Sequence, residues 1–327
     1  MKNTQTEEIC YKITVPKEQG NFRLDQFLGE QGLFKNRSQA LKAIKQNKVL
    51  LKEKPLKPSF QLKGGDVLTI YLPAKLPEEN LTSYDFPVPC LHEDEDILVV
   101  NKPAGLVTHP APGHKSDTLI NALFQKKNLS PGSHPLRPGL VHRLDKDTSG
   151  LLVLAKNKFS EENLIGQFKT RTIERIYWGI TLKPFHQSKG KIESYLTRHP
   201  KNRKRFISLP AASASDGKKA ITNYRILKQH DSGLTWMEYS LETGRTHQIR
   251  VHSVFLNCPL VGDNIYGRAK WKNLHSKKLQ NLCKTLNRVA LHAHTLRFHH
   301  PRTGKPLSFT SPWPNDLLPL LKHLNFM

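Results

Sequence analysis

The chain has 327 residues, enough for two or three domains and a substantial buried core. Its 51 Lys+Arg against 27 Asp+Glu give a formal net charge of +24, spread along the chain instead of gathered in one tail. That balance points to folded surfaces facing a polyanion and argues against a basic disordered arm. No apolar run approaches bilayer length, and the opening MKNTQTEEICYKITV lacks the apolar core of a signal peptide. A cytoplasmic chain with no membrane partner is therefore expected. The four cysteines (Cys10, Cys90, Cys258, Cys283) show no CxxC spacing and read as reduced thiols.

The first periodic segment lies at residues 22–72. Phe22, Leu24, Phe27 and Leu28 fall at helical spacing. A second helix is predicted from Ser38, a good N-cap, carrying Leu41 and Ile44 on its inner face and Lys42 and Lys45 along it. After Val49 the pattern shortens to strands around Lys52-Glu53-Lys54-Pro55, and KGGDVLTIYLP closes the module with a Gly-Gly turn and an alternating strand. Residues 74–89 read as a linker rich in Pro, Glu and polar residues.

A second domain is predicted over 90–312, with a tail at 313–327. Ile97–Val100 reads as a buried strand that runs into Asn101-Lys102-Pro103-Ala104-Gly105, a turn that brings backbone close to a neighbour. The most informative string is VHRLDKDTSGLLVLAK, Val141–Lys156. Reading Leu140–Asp145 as a strand places Arg143 and Asp145 on one face. An adjacent cation favours an ionised, aimed carboxylate. A bare pair of this kind is more often a surface ion pair of small energetic value.

Alternation in TIERIYWGI, AITNYRIL and TWMEYSLET predicts further strands. Tyr177, in the first of them, reads by itself as a core tyrosine on a half-buried strand. Arg198–Arg205 (RHPKNRKR) is a dense basic segment suited to phosphates. In LETGRTHQIRVH, Gly244 would permit the turn out of a strand and Thr246 would N-cap a helix carrying His247, Arg250 and Val251. Arg250 is suited to a charge-assisted pairing with Asp145. Arg245 and His247 sit near the helix start, where phosphate binding is favoured. Alternation in LHAHTLRFHHP puts His292 and His294 on one strand face, but no Cys or carboxylate lies at a ligand-like spacing, so no metal is expected.

These strings together resemble the RluA-type pseudouridine synthases that modify ribosomal large-subunit RNA. The family's HRLD and TSGLL stand here as His142–Asp145 and Thr148–Leu152. NKPAGLVTHP carries Thr108 where the family motif has Val. Its (R/K)xY motif is Arg175-Ile176-Tyr177, and GRTHQIRVH spans Gly244–His252. Residues 22–73 resemble the alpha-L RNA-binding module of a small-subunit ribosomal protein. The usual Gly near Asn47 and Asn-Gly near Lys52-Glu53 are missing, which leaves the shape of that turn open.

The resemblance covers roughly residues 22–310 and implies an α+β protein. Its catalytic domain would be a mixed, mainly antiparallel sheet with a central cleft, beside a small α/β RNA-binding module. Asp145 would be catalytic, either as nucleophile or as the base that removes a ribose proton. Tyr177 would stack on a flipped uridine, with Arg250 holding the carboxylate and Leu291 packing near the base. RNA contacts would come from Arg37, Lys42 and Lys45 in the module. In the catalytic domain they would come from Lys102, His142, Arg143, Arg198, Arg203, Arg245 and His247. The reaction needs no cofactor or metal, and a monomer is expected. Ribosomal RNA is the first substrate expectation and transfer RNA the second. A non-catalytic RNA-binding or assembly factor is the competing class, but it has no need of an ionised carboxylate in its cleft.

Overall fold

The structure is a computed structural model describing residues 8–17, 22–34, 37–73, 80–132, 134–210, 217–267 and 270–327. Contacts divide the chain into two compact units, Met1–Glu79 and Asn80–Met327.

The smaller unit contains β1 (Glu8–Thr14), β2 (Phe22–Arg23), α1 (Leu24–Glu30), α2 (Arg37–Lys45), β3 (Val49–Leu51), β4 (Lys54–Pro55), β5 (Gln61–Leu62) and β6 (Val67–Pro73). Its four-stranded sheet has the order β1-β6-β3-β4, and β2 pairs with β5. Leu24, Phe27, Leu28, Ala40, Ile44, Val49, Leu68 and Ile70 form the core. The module therefore begins before residue 22, because β1 pairs antiparallel along all of β6. Helix α2 starts at Arg37, so Ser38 lies inside the first turn, and the cap position falls outside the described residues. Ala40, Ala43 and Ile44 form its buried face, with Leu41 only half-buried. The β3–β4 turn puts Lys52 (φ 50°) and Glu53 (φ 65°) in the left-handed region. That is the type I′ signature, adopted here without glycine.

The larger unit contains β7 (Cys90–Glu93), β8 (Ile97–Lys102), α3 (Leu119–Leu123), β9 (Ser149–Ala155), α4 (Lys158–Thr170), β10 (Glu174–Thr181), β11 (Lys189–Arg198) and β12 (Phe206–Leu209). It continues with β13 (Lys218–Gln229), β14 (Thr235–Leu241), α5 (Gln248–Phe255), α6 (Lys277–Thr285), β15 (Leu291–His299), β16 (Pro306–Thr310) and α7 (Leu318–His323). One sheet runs in the order β12-β11-β13-β14-β10-β15-β9-β8-β7, with β16 on β15. Among the strand pairs described, β15–β9 is the parallel one. The fold is α+β with a mainly antiparallel sheet, as the sequence implied.

Strand β9 is buried at every position, so it reads as a continuous apolar run covered on both faces. Leu98, Val100, Leu152 and Leu154 join Tyr177, Tyr239 and Leu291 in one core layer. The alternate residues Ile97, Val99, Leu151 and Val153 face Leu164, Leu296 and Phe298 on the other side. Gly150, at φ 113°, lets the β15 backbone approach: a Cβ there would stand 2.3 Å from the Ala293 carbonyl oxygen.

Two boundaries differ from the sequence reading. Leu81, Tyr84, Phe86 and Val88 pack on the main core, so 80–89 is a strap on this unit and not a free linker. The expected tail is integral as well. Trp313, Leu317, Leu320, Leu321, Leu324 and Phe326 are buried against Ile180, Leu182 and Val261.

Candidate active site

The segment carrying Asp145 is not a strand: beyond one bridge at Leu140, residues 141–145 have no regular pairing. What fixes it is the Pro/Gly turn after β8. Thr108 Oγ1 donates to the Leu144 carbonyl at 2.7 Å, and Gly105 N–H donates to the Lys146 carbonyl at 2.9 Å. The carbonyls on either side of Asp145 are thus both held, and Thr148 N–H closes the turn onto the carbonyl of Asp145 itself at 3.1 Å.

Lys102 is fully buried, and its ammonium donates to the carbonyls of Pro103, Leu106 and Lys146. Burial pushes its pKa down to about 7, opposed by the charges of Asp145 and Asp147. Expected to contact RNA, it instead ties the turn beneath the loop. Ser149 follows, linked to Arg288 (2.9 Å) and His292 (2.9 Å). His292 and His294 each donate to the Ser311 carbonyl, at 3.0 and 2.7 Å. Among the described residues, no group of three or more His, Cys, Asp or Glu is arranged to hold a metal.

A cleft of about 470 Å³ is walled by Arg143, Asp145, Tyr177, Arg245, His247, Arg250 and Leu291, so all three expected catalytic residues meet there. Arg250 enters from the first turn of α5. Its Nη1 donates to Asp145 Oδ2 at 3.3 Å, the pairing the sequence suggested. Nothing in the sequence pointed to Asp263, which takes Nε and Nη2 at 2.8 and 2.9 Å. Burial alone would lower the pKa of Arg250, but Asp263 outweighs it and the net shift is upward.

Thr246 does not cap α5. The cap position is His247, left-handed at φ 58°, with no side-chain cap bond. Gln248 supplies the turn's bonds instead, accepting from Thr243 Oγ1 and Arg245 N–H. Gly244 is not in a left-handed turn; a Cβ there would stand 2.7 Å from Arg175 Nη1 and displace the end of that side chain. His247 Nδ1 meets Tyr266 Oη at 2.9 Å, and its Nε2 lies 3.9 Å from Asp145 Oδ2. Tyr266 Oη accepts from Phe206 N–H, so its own proton is free for His247 Nδ1. The Nε2 proton then faces the carboxylate. Burial keeps the His247 pKa below its ordinary value, the charge of Asp145 opposing.

Tyr177 is 6 % exposed on β10, in the same core layer as Leu291. Burial raises its pKa, with Arg175 opposing and Asp145 adding. His142 also lines the cleft, but its ring is tied to the fold. Its Nε2 accepts from Val153 N–H at 3.0 Å, its Nδ1 is buried without a partner, and burial, with Arg175 nearby, pushes its pKa down to about 3. Arg175 stacks over Phe168 at 5.2 Å and donates to the Leu241 carbonyl.

The remaining basic residues divide by position. Arg143 and Arg245 line the cleft, where neither is fully buried. No hydrogen bond or ion pair joins Arg143 to Asp145 among the described residues, contrary to the shared-face reading. Arg198 and Arg203 lie off the cleft wall, on the β11–β12 hairpin that reaches the site through Phe206 and Tyr266. In the smaller unit Lys42 and Lys45 lie on α2, outside its buried face. Arg37 is bonded to Asp25 alongside Arg23, which limits its freedom as an RNA contact. Those bonds, Arg23 first, hold the Asp25 carboxyl below its ordinary range.

A mainly antiparallel sheet with an arginine-paired carboxylate in its cleft, in a chain that also carries a separate small module, fits an enzyme class that likeness to known proteins identifies. The family described as RNA pseudouridylate synthase matches residues 96–254, and the S4 domain family matches residues 22–68. The RNA pseudouridine synthase YlyB of Bacillus subtilis is 36 % identical over 95 % of this chain and 97 % of its own length. Ribosomal large subunit pseudouridine synthase D of Neisseria meningitidis is 38 % identical over 95 % of this chain and 81 % of its own. The structure of human RNA pseudouridylate synthase domain containing 4 covers 72 % of this chain and 93 % of its own, with TM-score 0.52 and 24 % identity, a likeness of fold. The chain belongs to the RNA pseudouridine synthase family.

Proposed function

We propose that this synthase isomerises uridines of large-subunit ribosomal RNA in the cytoplasm, using Asp145 on a base flipped into the cleft. The observation that carries the reading is the Asp145 carboxylate, paired with Arg250 at 3.3 Å on the wall it shares with Tyr177. Pseudouridine forms when the N1–C1′ bond breaks and the base turns. C5 then bonds to C1′, the C5 proton leaves and N1 gains one. Asp145 serves as nucleophile at C1′ or as base toward the ribose, and both routes use its carboxylate as Arg250 orients it. A uridine leaves its stack to reach that group, and Tyr177 and Leu291 offer it an apolar, aromatic bed. Support for the ribosomal target is the likeness to the Neisseria large-subunit synthase and the S4 module with Lys42 and Lys45 outside its core. No helix of the described residues is long and apolar enough to cross a membrane.

The test is Asp145→Asn. Pseudouridine formation on ribosomal RNA should vanish while RNA binding persists, and retained turnover sinks the assignment. Mapping pseudouridine in total RNA with and without the gene separates the substrates. Loss of a site in transfer RNA, with large-subunit RNA unchanged, would favour the alternative.

A further inference from the structure

Arg250 lies between two carboxylates and does not serve them equally. Asp263 takes two hydrogen bonds at 2.8 and 2.9 Å, whereas Asp145 takes one at 3.3 Å. Asp263 is itself anchored, since its Oδ1 also accepts from Ile265 N–H at 3.0 Å and Tyr266 N–H at 2.9 Å. Its side chain is 1 % exposed against 16 % for Asp145, so it faces protein and not substrate. The turn it organises sets the Tyr266 ring 5.1 Å from the guanidinium carbon of Arg250.

We propose that Asp263 is a positioning residue for the reaction: it claims two arms of Arg250 so that Asp145 is aimed by the third without being locked in a bidentate pair. This rests on Asp145 as the reacting group. A carboxylate held fork to fork must break strong charge-assisted bonds before it can offer a lone pair to carbon or to a proton. Held by one arm, Asp145 keeps Oδ1 free of side-chain hydrogen bonds among the described residues. One cation is thus shared between the buried Asp263 and the half-buried Asp145, and most of its hydrogen bonding goes to Asp263.

Asp263→Asn isolates the effect. With its amide oxygen in the Oδ1 place, it can keep the bonds from Ile265 N–H, Tyr266 N–H and Arg250 Nη2, and only the acceptor facing Nε is replaced by a donor. Arg250 then turns its unshared charge toward Asp145. Single- and multiple-turnover assays on the RNA substrate should show kcat falling on the order of 10- to 100-fold, with KM changed by less than about threefold.

A double-mutant cycle distinguishes this from simple support of the turn. In an Arg250→Met background, adding Asp263→Asn should cost no further activity, and it should raise the melting temperature by removing an unpaired buried charge. Wild-type kcat in Asp263→Asn, a loss carried by KM alone, or losses that multiply across the cycle would each overturn the proposal. Asp145→Asn run alongside separates the failures. If it retains turnover, the reading of Asp145 falls and this inference with it; if it is inactive while Asp263→Asn is normal, only this inference falls.

Discussion

Thr108 Oγ1 donates to the Leu144 carbonyl at 2.7 Å, with both residues buried, and so joins the turn after β8 to the backbone just before Asp145. Valine, which the family motif has at this place, fills the same volume but cannot make that bond. Thr108→Val should lower stability by roughly 1–3 kcal/mol, because a buried acceptor loses its partner. It should also slow the single-turnover rate several-fold by loosening Asp145. Thr108→Ser keeps the hydroxyl and should keep the rate. Denaturant unfolding with single-turnover kinetics checks both, and equal rates for the Val and Ser variants would count against the clamp.

Tyr177 offers a ring and a hydroxyl that contribute differently. The ring belongs to the main core layer, whereas the hydroxyl makes no hydrogen bond among the described residues. Tyr177→Phe should therefore leave stability nearly unchanged and isolate any chemical use of the oxygen. Tyr177→Ala removes the face against which a base would stack, worth about 1–3 kcal/mol per base. Activity on RNA should fall much further in the Ala than in the Phe variant, at temperatures where melting curves show both folded. Equal losses would mean that the ring is not the working part.

Buried neutral histidines make stability depend on pH in a stated direction. Burial pushes His142 down to about 3 and His252 and His292 to about 4, all below the ordinary 6.5. Between those values and 6.5 the unfolded chain binds protons that the folded chain refuses, so stability falls as pH falls. The limiting slope is about 1.4 kcal/mol per pH unit for each group. Melting temperature should therefore decline from about pH 7 to about pH 5. His252→Gln, although less stable at neutral pH, should show a shallower decline. A melting temperature flat across that interval would contradict the account.

The parts of the site written as contiguous strings were legible: Asp145, Tyr177, Arg250 and Leu291 meet in one cleft. What escaped are partners whose contact depends on the three-dimensional path. Asp263 lies 13 residues beyond Arg250, past the end of α5, where no periodicity relates them. Thr108 reaches across 36 residues to Leu144. Lys102 reads as an RNA contact because charge is visible in sequence, whereas burial is not. Leu140–Asp145 has strand-like composition, but after the one bridge at Leu140 its backbone bonds among the described residues are to the Thr108 side chain and to the local turn at Thr148. The segment after residue 312 looked like a tail, although its leucines and Trp313 close a core.

The β3–β4 turn yields the last prediction. Lys52 and Glu53 both hold left-handed backbone, which costs an ordinary L-residue about 1–2 kcal/mol. Leu51 and Lys54 pair across the turn, so the hairpin register forces that shape whatever residues occupy it. Both side chains point to solvent, and neither makes an ion pair among the described residues. Combining Lys52→Asn with Glu53→Gly introduces the Asn-Gly pair that such a turn favours, and it removes the penalty without disturbing the core. The double variant should stabilise the smaller unit by about 1 kcal/mol, read as a higher denaturant midpoint with an unchanged slope. RNA affinity should drop only slightly, through the loss of one lysine. A midpoint unchanged or lowered would show that the turn relaxes to another shape in solution, and that the register of β3 against β4 does not impose the left-handed pair.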